Sequence, residues 1–154
     1  MLETLENELL IRRVAEQYFH GVDTSDRNLV RACFDDGATA QLNAGSNRSE
    51  ELIGGDAISE RIVALCSLFS SSTHPIANIF VSLSGLKASC AISATAHVLT
   101  GEMVQVRGLQ YHDQLIFKRG GWLISGRIHS AIWQYNIAAT LPQLQLNEVP
   151  RRAN

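Results

Sequence analysis

A chain of 154 residues has the length of one domain and enough bulk to bury a core. Apolar residues make up 45% and charged residues 18%, a globular balance that excludes a disordered polyelectrolyte. A net charge of −2 gives nucleic acid or an anionic membrane surface little to hold.

The three cysteines, Cys33, Cys66 and Cys90, are odd in number and widely spaced, with no C-x-x-C pair. That argues against a disulfide framework or zinc ribbon and for small core fillers in a reducing compartment. The Leu-rich start is interrupted by Glu3, Glu6, Glu8, Arg12 and Arg13, unlike a signal peptide. No apolar run approaches the roughly 18 residues needed to span a bilayer. A cytoplasmic protein is expected, with no nucleic-acid or membrane partner.

Residues 4–21 predict an amphipathic helix with Leu5, Leu9, Leu10, Val14, Tyr18 and Phe19 on its apolar stripe. Gly21 is a plausible stop, and Ser25 or Asp26 a cap for a short second helix from Asn28 to Ala32. Asp35-Asp36-Gly37 reads as a turn before a brief strand over Ala38–Leu42, and Asn43–Glu51 as a polar loop. Gly54-Gly55-Asp56 opens a third helix, with Asp56 suited to its cap. Ile58, Ile62, Val63, Leu65, Cys66 and Phe69 make it apolar over much of its surface, and Ser70–Thr73 ends it.

Four β-prone runs follow, Ile76–Leu83, Ala88–Leu99, Met103–Phe117 and Trp122–Tyr135. They are separated by Ser84-Gly85, Thr100-Gly101 and Arg119-Gly120-Gly121, breaks that join antiparallel neighbours. Helices first and a meander after them predict an α+β domain, its sheet curled around the helices and leaving a cavity. One domain over 1–136 and an extended C-terminal arm over 137–154, which carries Pro142 and Pro150, complete the expectation.

Several residues could carry chemistry. Asp23 stands where a helix end is expected, a position where Asp also serves as a simple cap. His74 precedes Pro75, which favours an extended backbone at the entrance to the first long strand. By strict alternation Arg127, His129, Ala131 and Trp133 share one face of the last strand, with Trp122, Ile124, Ile128 and Ile132 on the other, wholly apolar one. That puts Arg127 on the solvated face unless a β-bulge intervenes; an inward Arg would need an anion or a buried carboxylate. His97, His112 and His129 occupy separate strands without metal-ligand spacing, so no metal site is expected. No phosphate loop, nucleophile elbow or activated cysteine pattern is present.

Four short pieces carry a resemblance across about Leu5 to Tyr135. They are Tyr18-Phe19-His20-Gly21-Val22-Asp23, Thr73-His74-Pro75-Ile76-Ala77-Asn78, Gln110-Tyr111-His112-Asp113, and Gly121-Trp122 followed by Arg127. In this order they resemble the SnoaL-like, scytalone-dehydratase-like branch of the nuclear transport factor 2-like superfamily. The resemblance implies a cone-shaped roll, a curved, mostly antiparallel sheet wrapped around the N-terminal helices with an apolar internal pocket. It also implies catalytic roles for Asp23, His74, Tyr18 and Arg127, as in bile-acid dehydratase and hexachlorocyclohexane dehydrochlorinase relatives. The dehydrochlorinase has Lys where this chain has Tyr18, so the dehydratases are the better match.

The implied activity is a cofactor-independent lyase of dehydratase type, or an isomerase. It would act on a small, largely apolar cyclic substrate through His–Asp proton abstraction. Arg127 would neutralise developing charge or orient Asp23, and His97, His129 and Trp133 are expected on the substrate pocket. The alternatives are a non-catalytic binding or association module of the same fold, and a polyketide-type cyclase. Relatives commonly form dimers or trimers through the outer face of the sheet, and a homo-oligomer is expected here.

Overall fold

The computed structural model describes residues 2–139. Helix α1 (Leu2–Asp23) buries Ile11, Ala15, Tyr18, Phe19 and Val22, spacings of three, four and seven that put them on one helical face. Leu5, Leu9 and Leu10, assigned to that stripe from the sequence, are instead exposed. Asn7, between them, meets Trp122 of the sheet, so these leucines lie on the helix face turned away from the core. Two long-range bonds hold α1 in place: Trp122 Nε1 donates to Asn7 Oδ1 (2.8 Å), and Arg12 Nη2 to the Ile79 carbonyl (3.1 Å).

Gly21 does not stop α1. A Cβ there would lie 3.0 Å from Leu29 Cβ, Val30 Cγ2 and Val30 N, so glycine lets helix α2 (Arg27–Ala32) close onto α1. The chain turns at Ser25, whose φ is +54°. Asp26 caps α2, its carboxylate accepting from the Asn28 and Leu29 amides.

Strand β1 (Phe34–Leu42) starts earlier than expected and includes Asp35-Asp36-Gly37, where its register against the last strand shifts between Phe34 and Thr39. Ion pairs make this polar stretch stable as a strand: Lys118 bonds Asp35 and Arg31 bonds Asp36. Strand β2 (Glu50–Ile53) pairs antiparallel with β1. Helix α3 (Gly55–Cys66) is capped by Gly54, while Asp56 lies in the first turn and bonds Arg27 and Arg31. A Cβ on Gly55 would approach Arg31 and the Asp35 carbonyl to 2.8 Å, which explains the second glycine. Ser71–Thr73 then forms a short strand, β3.

Strands β4 (Ile76–Ser84), β5 (Lys87–Thr100), β6 (Met103–Lys118) and β7 (Gly121–Ala138) match the four expected runs. Gly85, Gly101, Arg119 and Gly120 all have positive φ at the hairpin turns. The sheet order is β2-β1-β7-β6-β5-β3, with β4 also paired to β5. Among the described residues only β1 and β7 run parallel. This is the expected α+β architecture, a curved, mostly antiparallel sheet with its helices on the concave side. β7 continues through Ala138, past the expected boundary at 136, and the Ala139 amide donates to the Glu102 carbonyl at 2.8 Å; residues 140–154 of the expected arm lie outside the described residues.

Two bulges in β7 decide which side chains point inward. Gln114 pairs with Gly126 but Leu115 with Ile124, leaving Ser125 as an extra residue; Ile132 is extra between the Leu109–Ala131 and Gly108–Trp133 pairs. Each insertion flips the alternation. Arg127 and His129 therefore join the inward side of Trp122 and Ile124, whereas Ile128, Ile132 and Trp133 are exposed.

Candidate active site

The last residue of α1 and the segment linking β3 to β4 build the first part of the site. Asp23 Oδ1 lies 2.6 Å from His74 Nδ1 and accepts a 3.0 Å bond from Ser72 Oγ; Asp23 Oδ2 accepts from the His74 backbone amide at 2.9 Å. A carboxylate can only accept, so Nδ1 carries the proton and Nε2 keeps a free lone pair. The side chain of His74 is nearly buried, stacked on Phe19 with ring centroids 5.8 Å apart. An imidazole fixed in this tautomer and orientation is equipped to take a proton at Nε2, with the carboxylate stabilising the imidazolium.

Tyr18 lies one and a half turns before Asp23 on α1 and is 4% exposed. Burial pushes its phenol up to about 12, against the opposing pull of Arg127, so it remains an O–H donor at neutral pH.

Arg127 stands elsewhere than the sequence suggested. Its side chain is fully buried and held by Asp113, with Nε to Oδ1 at 2.7 Å and Nη2 to Oδ2 at 2.5 Å. The guanidinium carbon is 3.9 Å from the Tyr18 ring centroid, within cation–π range. It thus supports Tyr18 from behind and does not line the cavity or bond Asp23, as had been expected of it.

A cavity of about 730 Å³ opens between the helices and the concave sheet, lined by both Tyr18 and His74. Its apolar wall comes from Val22 on α1, Ile62 and Leu65 on α3, Ala96 and Val98 on β5, and Leu109 on β6. Its polar wall comes from Asn43 and Arg48 of the β1–β2 connection, Glu50 at the start of β2, and Arg61, Gln105, Arg107 and Gln134. A volume of this order suits a small organic ligand.

Of the three further residues expected on the pocket, only His129 lines it. Its Nδ1 accepts from the Asn43 amide at 3.2 Å, which places the proton of the neutral ring on Nε2. Burial, helped by the Arg127 and Arg107 charges, lowers its pKa to about 4. His97 alternates with Ala96 and Val98, both inward, and so points to the outer face. Trp133 lies beyond the second bulge on that same outer face, flat over Gly108 and stacked on Tyr135. Cys66 also lines the cavity, but burial raises its thiol to about 11, leaving no thiolate at neutral pH.

Sequence reasoning assigned no site role to Asp113, Ser72, Tyr111 or Arg107, although Tyr111 and Asp113 lie in one of the pieces that carry the resemblance. Asp113 was the most accessible of these. An inward Arg127 demands a buried carboxylate, and Asp113 alternates with Leu109, Tyr111 and Leu115 on a strand facing the core.

The SnoaL-like domain model matches residues 3–128, most of the chain. The chain belongs to the SnoaL-like domain family. Solved structures of similar shape include a Novosphingobium aromaticivorans protein provisionally assigned as a scytalone dehydratase. It is 18% identical, with a TM-score of 0.77 over 94% of this chain and 99% of that one. The hexachlorocyclohexane dehydrochlorinase LinA-type3 of Novosphingobium barchaimii LL02 is 14% identical, with a TM-score of 0.78 over 92% and 98%. A Streptomyces avermitilis protein of the nuclear transport factor 2-like family, provisionally assigned as a dehydratase, is 10% identical, with a TM-score of 0.71 over 85% and 99%. At these identities the likeness establishes the fold. No curated protein matches the sequence.

Proposed function

We propose that this SnoaL-like domain is a cofactor-independent lyase of dehydratase type. It removes a carbon-bound proton from a small, largely apolar cyclic substrate and expels a neighbouring group. The observation that carries this reading is the 2.6 Å contact between His74 Nδ1 and Asp23 on the wall of a cavity with one apolar and one polar side. His74 Nε2 takes the proton, Asp23 stabilises the resulting imidazolium, and Tyr18 donates a hydrogen bond to a carbonyl oxygen or a departing hydroxyl. Ser72 and the His74 amide keep Asp23 aligned, and Arg127 with Asp113 sets the position of the Tyr18 ring. An isomerisation or cyclisation would begin with the same proton transfer; the product decides among them.

The test is turnover of a substrate found by screening hydroxylated and halogenated alicyclic compounds for alkene formation. His74→Ala and Asp23→Ala are each expected to lower kcat by roughly 10²–10⁴-fold, the usual contribution of general acid–base catalysis. Variants that stay within a few-fold of the parent protein would reduce the site to a binding pocket.

A further inference from the structure

Arg107 is a cation on the cavity wall that no carboxylate among the described residues neutralises. Among the described residues its buried Nε has no hydrogen-bond partner, and its one side-chain hydrogen bond is a weak 3.5 Å approach of Nη2 to Asn43 Oδ1. The acids nearby are already engaged. Asp23 is held by His74 and Ser72, Asp113 by Arg127, and Glu50 by Arg61 at 2.9 and 3.1 Å. Nor do the remaining polar groups supply negative charge: His129 is a neutral imidazole at pH 7, and Tyr18 and Tyr111 keep their protons. A half-buried guanidinium left in this condition is costly unless something anionic arrives to face it.

Strand register places this cation relative to the acid–base pair. Ala96 of β5 pairs with Arg107 on one side, while the neighbouring His97 pairs with Thr73 on the other, just before His74. Two strand spacings, about 10 Å, thus separate the two backbones. Small Ala96 lies between them on the cavity wall. That is room for a ring or two with an acidic group at one end and a reacting carbon at the other.

We infer that Arg107 anchors a carboxylate on the ligand, so that the cavity selects cyclic acids over neutral molecules of the same shape. This deepens the lyase reading, because it takes the cavity to be the substrate site. A planar guanidinium meeting a carboxylate forms charge-assisted bonds that an amide cannot replace.

Calorimetric titration of the full chain at pH 7 with 2-naphthoate and with 2-naphthamide tests it. The parent protein is expected to bind the acid about tenfold or more tightly than the amide. Arg107→Gln is expected to erase that difference while leaving amide affinity within about twofold. Asn43→Asp, which sets a carboxylate beside Arg107 at a residue whose φ of +53° Asp tolerates, is expected to erase it too. That second variant serves even if the first fails to fold. His74→Gln and Arg48→Gln should keep the preference. An acid bound no more tightly than the amide, including neither bound at millimolar concentration, overturns the inference, as does a preference that survives both variants. A preference for the acid without His74-dependent turnover removes the proton-transfer reading and leaves this one standing; the converse result does the reverse.

Discussion

His129 and Asp113 show how individual side chains in this core depend on their charge state. The folded protein holds His129 neutral, with a pKa near 4 against 6.5 for a free imidazole, so between those values the unfolded chain binds the extra proton. Its contribution to stability is therefore complete above pH 6.5 and is lost as the pH falls toward 4, by about 2–3 kcal/mol. Urea unfolding at pH 7 and pH 4.5 should reveal that slope, and His129→Gln should flatten it. For Asp113, removal of the carboxylate strands the fully buried Arg127 charge. Asp113→Ala should cost about 3–5 kcal/mol, measured by urea denaturation, far more than truncating an exposed carboxylate such as Glu16.

At the scale of elements, the order of the helices and long strands was legible because each long strand has a β-prone run bounded by glycine turns. The short strands β2 and β3, by contrast, fell in stretches read as a loop and a helix end. The Asp23–His74 meeting was legible only through the family resemblance, since no local pattern links a helix end to a strand connection 51 positions away. The face assignment of β7 was not legible. Ser125 and Ile132 look like ordinary strand residues, yet each is an inserted residue that reverses every side chain beyond it. The same bulges move Arg127 into the core and Trp133 out of the pocket. Gly21 was misread for a related reason: a helix-interior glycine that permits close packing looks, in sequence, like a terminator. Gly21→Ala should gain helix propensity but force α2 away from α1, for a net loss of about 1–2 kcal/mol by thermal unfolding.

Across the whole molecule, the concave face of the sheet holds the cavity and the convex face carries exposed Ile128, Ile132, Trp133, Tyr135 and Ile137 along β7. A continuous apolar strip of this kind marks an association surface, and we propose a homodimer or homotrimer formed through it. Sedimentation at micromolar concentration should give a multiple of 16.9 kDa, and Trp133→Asp should yield the monomer without altering the cavity.

In the proposed reaction an imidazole aligned by a carboxylate removes a proton from carbon inside the roll. Exchange of that proton for deuterium from heavy water, followed by NMR on cyclic keto acids, reads the step whatever group leaves afterwards. The parent protein is predicted to catalyse exchange, and His74→Ala and Asp23→Ala to slow it by roughly 10²–10⁴-fold. Exchange at the parent rate in both variants, with the ligand still bound, would contradict it.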